Sequence, residues 1–222
     1  MKRLLIGLLI APSAFADSVL VTNANLMSMG PLGTQHGVSV LIEDDVIADI
    51  GTNITTVADT VIDANGAFVT PALFAGATAT GLVEVNAVRE SADGSMSDTK
   101  DNTVQVGFDV RDAYSPLSSV VGVTRVEGFG YSLLMASGGQ YSVAGRGSLV
   151  DFDGGFESFN GSDVLFIDVG GYAADKVGGS RAAHWMLLDG IMADLKRRSS
   201  EREYLSQSGK EHLKDLTKNG VF

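Results

Sequence analysis

The stretch that decides the fold runs from Val61 to Ala79, VIDANGAFVTPALFAGATA. Its first part, Val61-Ile62-Asp63-Ala64, is a short β-type run bounded by Asn65 and Gly66. From Ala67 to Phe74 the pattern changes, and apolar strands are followed by Gly-rich and polar loops. A β-only segment therefore meets an α/β segment within this stretch.

Before it, Val19-Leu20-Val21-Thr22, Gly37 to Ile42 and Val46 to Gly51 read as strands of an antiparallel sheet or sandwich. Asp44-Asp45 separates two of them and suits a hairpin turn. After it, Gly122 to Val126, Tyr131 to Met135 and Val164 to Val169 read as buried strands of an α/β unit, with a short helix or loop at Thr103 to Tyr114. Between Arg181 and Lys218 the periodicity turns helical. Ala182, Trp185, Met186, Leu188, Ile191, Met192 and Leu195 mark an apolar face, and Leu205, Leu213 and Leu216 continue a more polar helix to Asn219-Gly220. Val221-Phe222 resembles the opening of another strand, so the chain is expected to be a truncated product.

Three segments, Val21-Thr22-Asn23-Ala24, the hairpin VLIEDDVIADIG within Val38 to Gly51, and Val61 to Ala79, resemble the periplasmic, imidazolonepropionase-like branch of the amidohydrolase superfamily. Gly122-Val123-Thr124 is similar to that family's second barrel strand. The resemblance implies a small β-sandwich, completed by C-terminal strands, beside a (β/α)8 TIM barrel. It also implies hydrolysis of C–N bonds in small cyclic or dipeptide-like amides, with zinc or another divalent metal at the barrel mouth. The expected layout is a leader at residues 1–16, a β-sandwich at 17–68 and the first, incomplete part of the barrel at 69–222.

In that family the first barrel strand ends in His-x-His, because residues i and i+2 share one side of a strand and both imidazoles reach one ion. The matching positions here are Ala77 and Ala79, and Ala72 stands where glycine is usual. A methyl group cannot coordinate a metal. The site reads as degenerate, and no cofactor is expected in this chain. Whether the lineage hydrolyses amides or has become a non-catalytic binding or scaffold protein is left open by these residues.

Glu84 and Arg89, within GLVEVNAVRESADG, fall where the family carries its first barrel loop and are the candidate substrate contacts, with Glu90 beside them. Arg125, after the next strand-like run, has the same standing against a solvated loop. His36, His184 and His212 share no strand or helical spacing and read as surface or capping residues. Gly138-Gly139-Gln140 and Gly145-Arg146-Gly147 fit no phosphate-binding pattern and read as turns. Ser137 and Ser142 lack the nucleophile elbow of a serine hydrolase. Lys196-Arg197-Arg198, offset by Glu201, Glu203 and Glu211, reads as a solvated helix face.

Composition narrows the classes further. The absence of cysteine excludes disulfides, cysteine zinc sites and thiol nucleophiles. Without Lys2 and Arg3, the 16 basic residues become 14 against 27 acidic ones, a formal net charge of −13 that opposes nucleic acid and anionic membrane surfaces. With 27 glycines and 4 prolines, the chain is rich in tight turns. An unclosed barrel would leave open sheet edges, so self-association is expected.

At the N-terminus, Lys2 and Arg3 precede an apolar run from Leu4 to Ile10, then Pro12, Ser13 and Ala14-Phe15-Ala16. That order is a secretory signal with an A-x-A cleavage site. The run is far shorter than the ~18 residues that span a bilayer. Periplasmic or secreted protein is expected to begin at Asp17, which intact-mass measurement of exported material checks; retained Met1 would overturn it.

Overall fold

The computed structural model describes residues 18–96, 104–137, 141–196 and 205–219. The expected leader, Gly138-Gly139-Gln140, Arg197 and Arg198 with Glu201 and Glu203, and Val221-Phe222 lie outside these described residues. The chain forms two units, Met1–Pro71 and Ala72–Phe222.

The first unit is a five-stranded sheet of β1 (Ser18–Met27), β2 (Thr34–Glu43), β3 (Val46–Gly51), β4 (Thr60–Asp63) and β5 (Phe68–Val69). The hairpin at Asp44-Asp45 forms as expected, with φ of 49° and 62° at its two central residues, the requirement of a tight two-residue turn that matches strand twist. The sheet is not wholly antiparallel: β1 pairs antiparallel with β2 but parallel with both β4 and β5. Leu26, Val38 and Val40 form its buried centre, with Val21, Ile42, Ile50 and Val69 around them. His36 lies in β2 rather than a turn, its Nδ1 2.9 Å from Asn25 Oδ1.

The second unit carries a four-stranded sheet, β6 (Leu73–Thr78), β7 (Phe129–Leu134), β8 (Val143–Asp151) and β9 (Phe159–Ile167), in that spatial order. Its helices are α1 (Ser119–Val126), α2 (Gly171–Lys176), α3 (Arg181–Lys196) and α4 (Gln207–Asn219). β6 and β7 are parallel and joined by a long connection containing α1, the arrangement that parallel neighbours require. β7, β8 and β9 then run antiparallel, so the parallel barrel order expected from the sequence does not continue through them.

Gly122 to Val126 is helix, not strand. Ser118 Oγ accepts from Val120 N at 3.2 Å and caps the first turn, while Val121 faces the core and Val123 and Val126 face solvent. Stacked valines read as a buried strand, and the cap decided otherwise. In α3 the buried face is His184, Leu187, Ile191 and Asp194, whereas Trp185 and Met186 are exposed. The helix was legible, but its inward face was not. Among the described residues no helix is long and apolar enough to cross a membrane.

Gly145-Arg146-Gly147 is likewise strand, in the middle of buried β8. A Cβ at Gly147 would lie 1.9 Å from the Leu134 carbonyl oxygen, and one at Gly145, where φ is 136°, would lie 2.7 Å from the Phe108 carbonyl oxygen. These two glycines permit close backbone approach rather than a turn.

Gly147→Ala is therefore expected to destabilise the chain by about 2–4 kcal/mol, because backbone rather than a movable side chain meets the new methyl. In α1, Gly122 has nothing within 4 Å of an added Cβ. Gly122→Ala is expected to stabilise by about 0.5–1 kcal/mol. Urea unfolding of both variants checks the contrast, and equal effects would overturn it.

Candidate functional site

The C-terminal end of the parallel pair is where the sequence places its diagnostic residues. Ala77 and Thr78 pair with Leu133 and Leu134 of β7, and Met135 N donates to Thr78 O at 2.9 Å. The Ala79 carbonyl then accepts from Leu82 N and Val83 N, turning the chain at once. Upstream, β6 has an extra residue between Phe74 and Ala77, with Gly76 at φ 81°, so a bulge resets which side each residue faces. Ala75 and Ala79 pack against the core, while Ala77 is exposed.

At this strand end the side chains are two methyl groups flanking Thr78, whose hydroxyl accepts from Thr80 N at 3.3 Å. These residues do not fit a divalent metal, which needs imidazole, carboxylate or thiolate donors. Among the described residues no group of three or more His, Cys, Asp or Glu is arranged to hold one.

The segment after β6 folds back on itself. Glu84 N donates to Ser91 O at 3.0 Å, Asp93 N to Leu82 O at 2.9 Å, and Ser91 Oγ to the carbonyls of Val85 and Val88. Glu84 and Arg89 separate here. The Glu84 carboxylate accepts from Ser119 Oγ at 3.0 Å, tying this segment to the first turn of α1. Arg89 instead lines an open cleft of about 440 Å³ with Glu90, Ala92, Asp93, Ser95, Met96, Phe108 and Ala113. A second cleft of about 320 Å³, reaching Val106, Leu205 and Gly209, shares Met96 and Phe108 with it. Arg125 does not join them, because its Nη1 donates to the Phe152 carbonyl at 3.0 Å.

The wall of the cleft is backed by a charge network in which Arg146, expected in a turn, meets Asp109, Arg111 and Asp163, which no sequence motif marked. Phe108 O accepts from Arg146 N at 2.7 Å. The next residue, Asp109, accepts from Arg111 and Arg146, which also hold Asp163 at 2.7 Å and 2.8 Å. Arg146 Nε donates to Val106 O at 3.1 Å, so every branch of this buried guanidinium has an acceptor. A visible signal existed: a lone arginine inside the apolar run Tyr141 to Val150 must be paired if that run is buried.

Burial pushes the Asp109 carboxyl up. The hydrogen bonds from the Arg111 side chain and backbone, with the charges of Arg111 and Arg146, together outweigh it and hold the carboxyl below its usual range. Arg111 is pushed up in turn, chiefly by its hydrogen bond to Asp109.

His184 is a core residue rather than a surface one. It is 2 % exposed, with Nε2 3.1 Å from the fully buried Ser142 hydroxyl, and its Nδ1 has no partner among the described residues. The pair has nucleophile–base spacing, but neither group is reachable by a substrate. Ser137 is exposed, and its amide donates to Gly94 O. His212 is half-buried in α4, its Nδ1 also without a partner among the described residues.

The chain is similar to an amidohydrolase from Thermotoga maritima MSB8, with a TM-score of 0.71 and 17% identity, over 90% of this chain. The fold resembles an amidohydrolase's. The chain spans 55% of that structure's length. A second similarity, to the L-hydantoinase (dihydropyrimidinase) of Arthrobacter aurescens, covers 31% of this chain and 14% of that one at 28% identity and a TM-score of 0.25, too small a part to carry an argument. No protein-family model and no curated protein matches the chain. The amidohydrolase likeness concerns the fold, and chemistry resides in the residues of a site.

Asp109→Asn is expected to cost about 2–4 kcal/mol at pH 7, near the value for breaking a buried charge pair, less what solvent at Arg111 returns. Because the folded carboxyl titrates below its unfolded value of about 3.9, its stabilisation is present above that pH and lost as pH falls through the folded value. The difference between wild type and variant should hold from pH 7 to about pH 5 and shrink toward pH 3. Chemical denaturation across that range checks it; a constant difference would overturn the assignment.

Proposed function

We propose that this chain is a non-catalytic binding protein on an amidohydrolase-type α/β fold, descended from hydrolases of C–N bonds in cyclic or dipeptide-like amides. In this reading residues 17–68 correspond to part of the small β-sandwich and, within 69–222, the parallel pair β6 and β7 corresponds to the opening of the barrel, the chain being exported to the periplasm after removal of residues 1–16. The observation that carries it is the Ala77 and Ala79 pair at the end of β6, where a barrel enzyme of this type would place its first metal donors. Arg89 lines the cleft formed by the segment that follows β6, and Glu84 ties that segment to α1, so a ligand in this reading is expected there.

A second reading, that the chain is one portion of a longer metal-dependent hydrolase, is favoured by its spanning 55% of the amidohydrolase structure. The two readings differ in what metal does. Purified chain, incubated with zinc or manganese and five-membered cyclic amides or dipeptides, is expected to show no turnover above the metal blank; turnover abolished by a chelator would overturn the binding reading. Ala77→His with Ala79→His is expected to change zinc affinity by less than about tenfold, because Ala77 is exposed while Ala79, past the end of β6, packs against the core, so the two imidazoles do not start on one side. Competition with a chromogenic chelator measures it, and a larger gain would mean that these positions converge after all.

A further inference from the structure

Resting on the binding reading, the question becomes what the Arg89 cleft would take. Its charged rim is Arg89, Glu90 and Asp93, and its apolar lining is Ala92, Met96, Phe108 and Ala113. The three charges are not equivalent. Arg89 is already engaged in an interaction, whereas the carboxylates of Glu90 and Asp93 have no hydrogen bond or ion pair among the described residues. The charge left to face a ligand is negative, on a chain whose formal net charge is −11.

The apolar part is a fixed surface. Phe108 is held through its carbonyl by Arg146 N at 2.7 Å and through its amide by Gln105 O at 3.1 Å, and the ion network at Asp109 begins one residue later. Its side chain is half-buried against the core, so the part that reaches the cleft loses little freedom when a ligand covers it. Met96, beside it, is a soft and adaptable contact. Met96 and Phe108 also line the second cleft, so the two clefts share this apolar wall.

We propose that this double cleft binds small organic cations, an alkyl- or aryl-ammonium whose charged head sits at Glu90 and Asp93 and whose apolar body lies along Met96 and Phe108. An ammonium satisfies the two carboxylates and is attracted by an aromatic face, whereas a carboxylate ligand would have to approach Arg89 between two like charges. A neutral body of the same shape would gain only the apolar contact.

Isothermal titration of the full chain with phenethylammonium, 3-phenylpropionate and 3-phenylpropanol tests this, read alongside the ¹³C-methyl resonance of Met96. The cation is expected to bind at least about tenfold more tightly than either analogue and to weaken as salt is raised. It should shift the Met96 methyl, and Glu90→Gln with Asp93→Asn, both exposed positions, should abolish the preference while the thermal transition stays in place. Equal binding of all three probes, no binding, an unmoved Met96 methyl, or a preference that survives the double variant would overturn the assignment. Metal-dependent amide turnover would instead sink the non-catalytic reading and leave a cation preference standing, so the two failures are distinguishable.

Discussion

The second unit depends on one buried guanidinium. Arg146 stands in the middle of β8 at 8 % exposure, and an unpaired charge there would cost several kcal/mol. Its partners come from three directions: the Val106 carbonyl, Asp109 beside a short helical turn, and Asp163 on β9. Satisfying it therefore fixes the segment from Val106 to Arg111 against two strands. The glycines on either side are part of the same constraint, because Gly145 and Gly147 let the Phe108 and Leu134 carbonyls approach where any side chain would collide.

That arrangement explains how the sheet is built. The later residues of β8 pair with β7, whereas its earlier residues are bridged in parallel by Val104 and Asp109. The segment around Val104 to Asp109 thus takes the place along β8 that β7 does not reach. Two core clusters meet this element from different ends: Val110 and Phe108 belong with Leu134, Val150 and Phe152, while Val104 and Val106 belong with Leu187, Ile191 and Leu213. A mutation in the network is therefore felt in both clusters and in the cleft wall, none of which needs to touch the mutated side chain.

Much of this was legible from local pattern alone. The Asp44-Asp45 hairpin, the strands around Tyr131 and Val164, and the helices after Arg181 all carry signals that span only a few residues. What escaped depends on residues far apart in the chain. The parallel pairing of β1 with β4 and β5 is set by a long return connection, and His184 is buried with its one described partner a serine 42 residues earlier. Gly145-Arg146-Gly147 read as a turn because glycine usually supplies conformational freedom there; here its lack of a Cβ supplies space. Of the candidate contacts, Arg89 reached a cleft and Glu84 became a tie to α1, a distinction no spacing rule could make.

Under the binding reading, the strand end at Ala77 and Ala79 is where fold and chemistry would part company. A metal site needs donors of the right type at converging positions, and the backbone can keep those positions after the donors have gone. At β6 the backbone keeps a parallel pair, a bulge at Gly76 and an immediate turn at Ala79, while the side chains supply only methyl groups and a threonine bonded to its own turn. Ala79 packs against the core, so an imidazole there would have to displace apolar contacts as well as find an ion. The groups that remain able to act on a ligand are in the neighbouring cleft. There, under the binding reading, Met96 and Phe108 give apolar surface beside the carboxylates of Glu90 and Asp93, which have no hydrogen bond or ion pair among the described residues, so recognition would run on charge and shape.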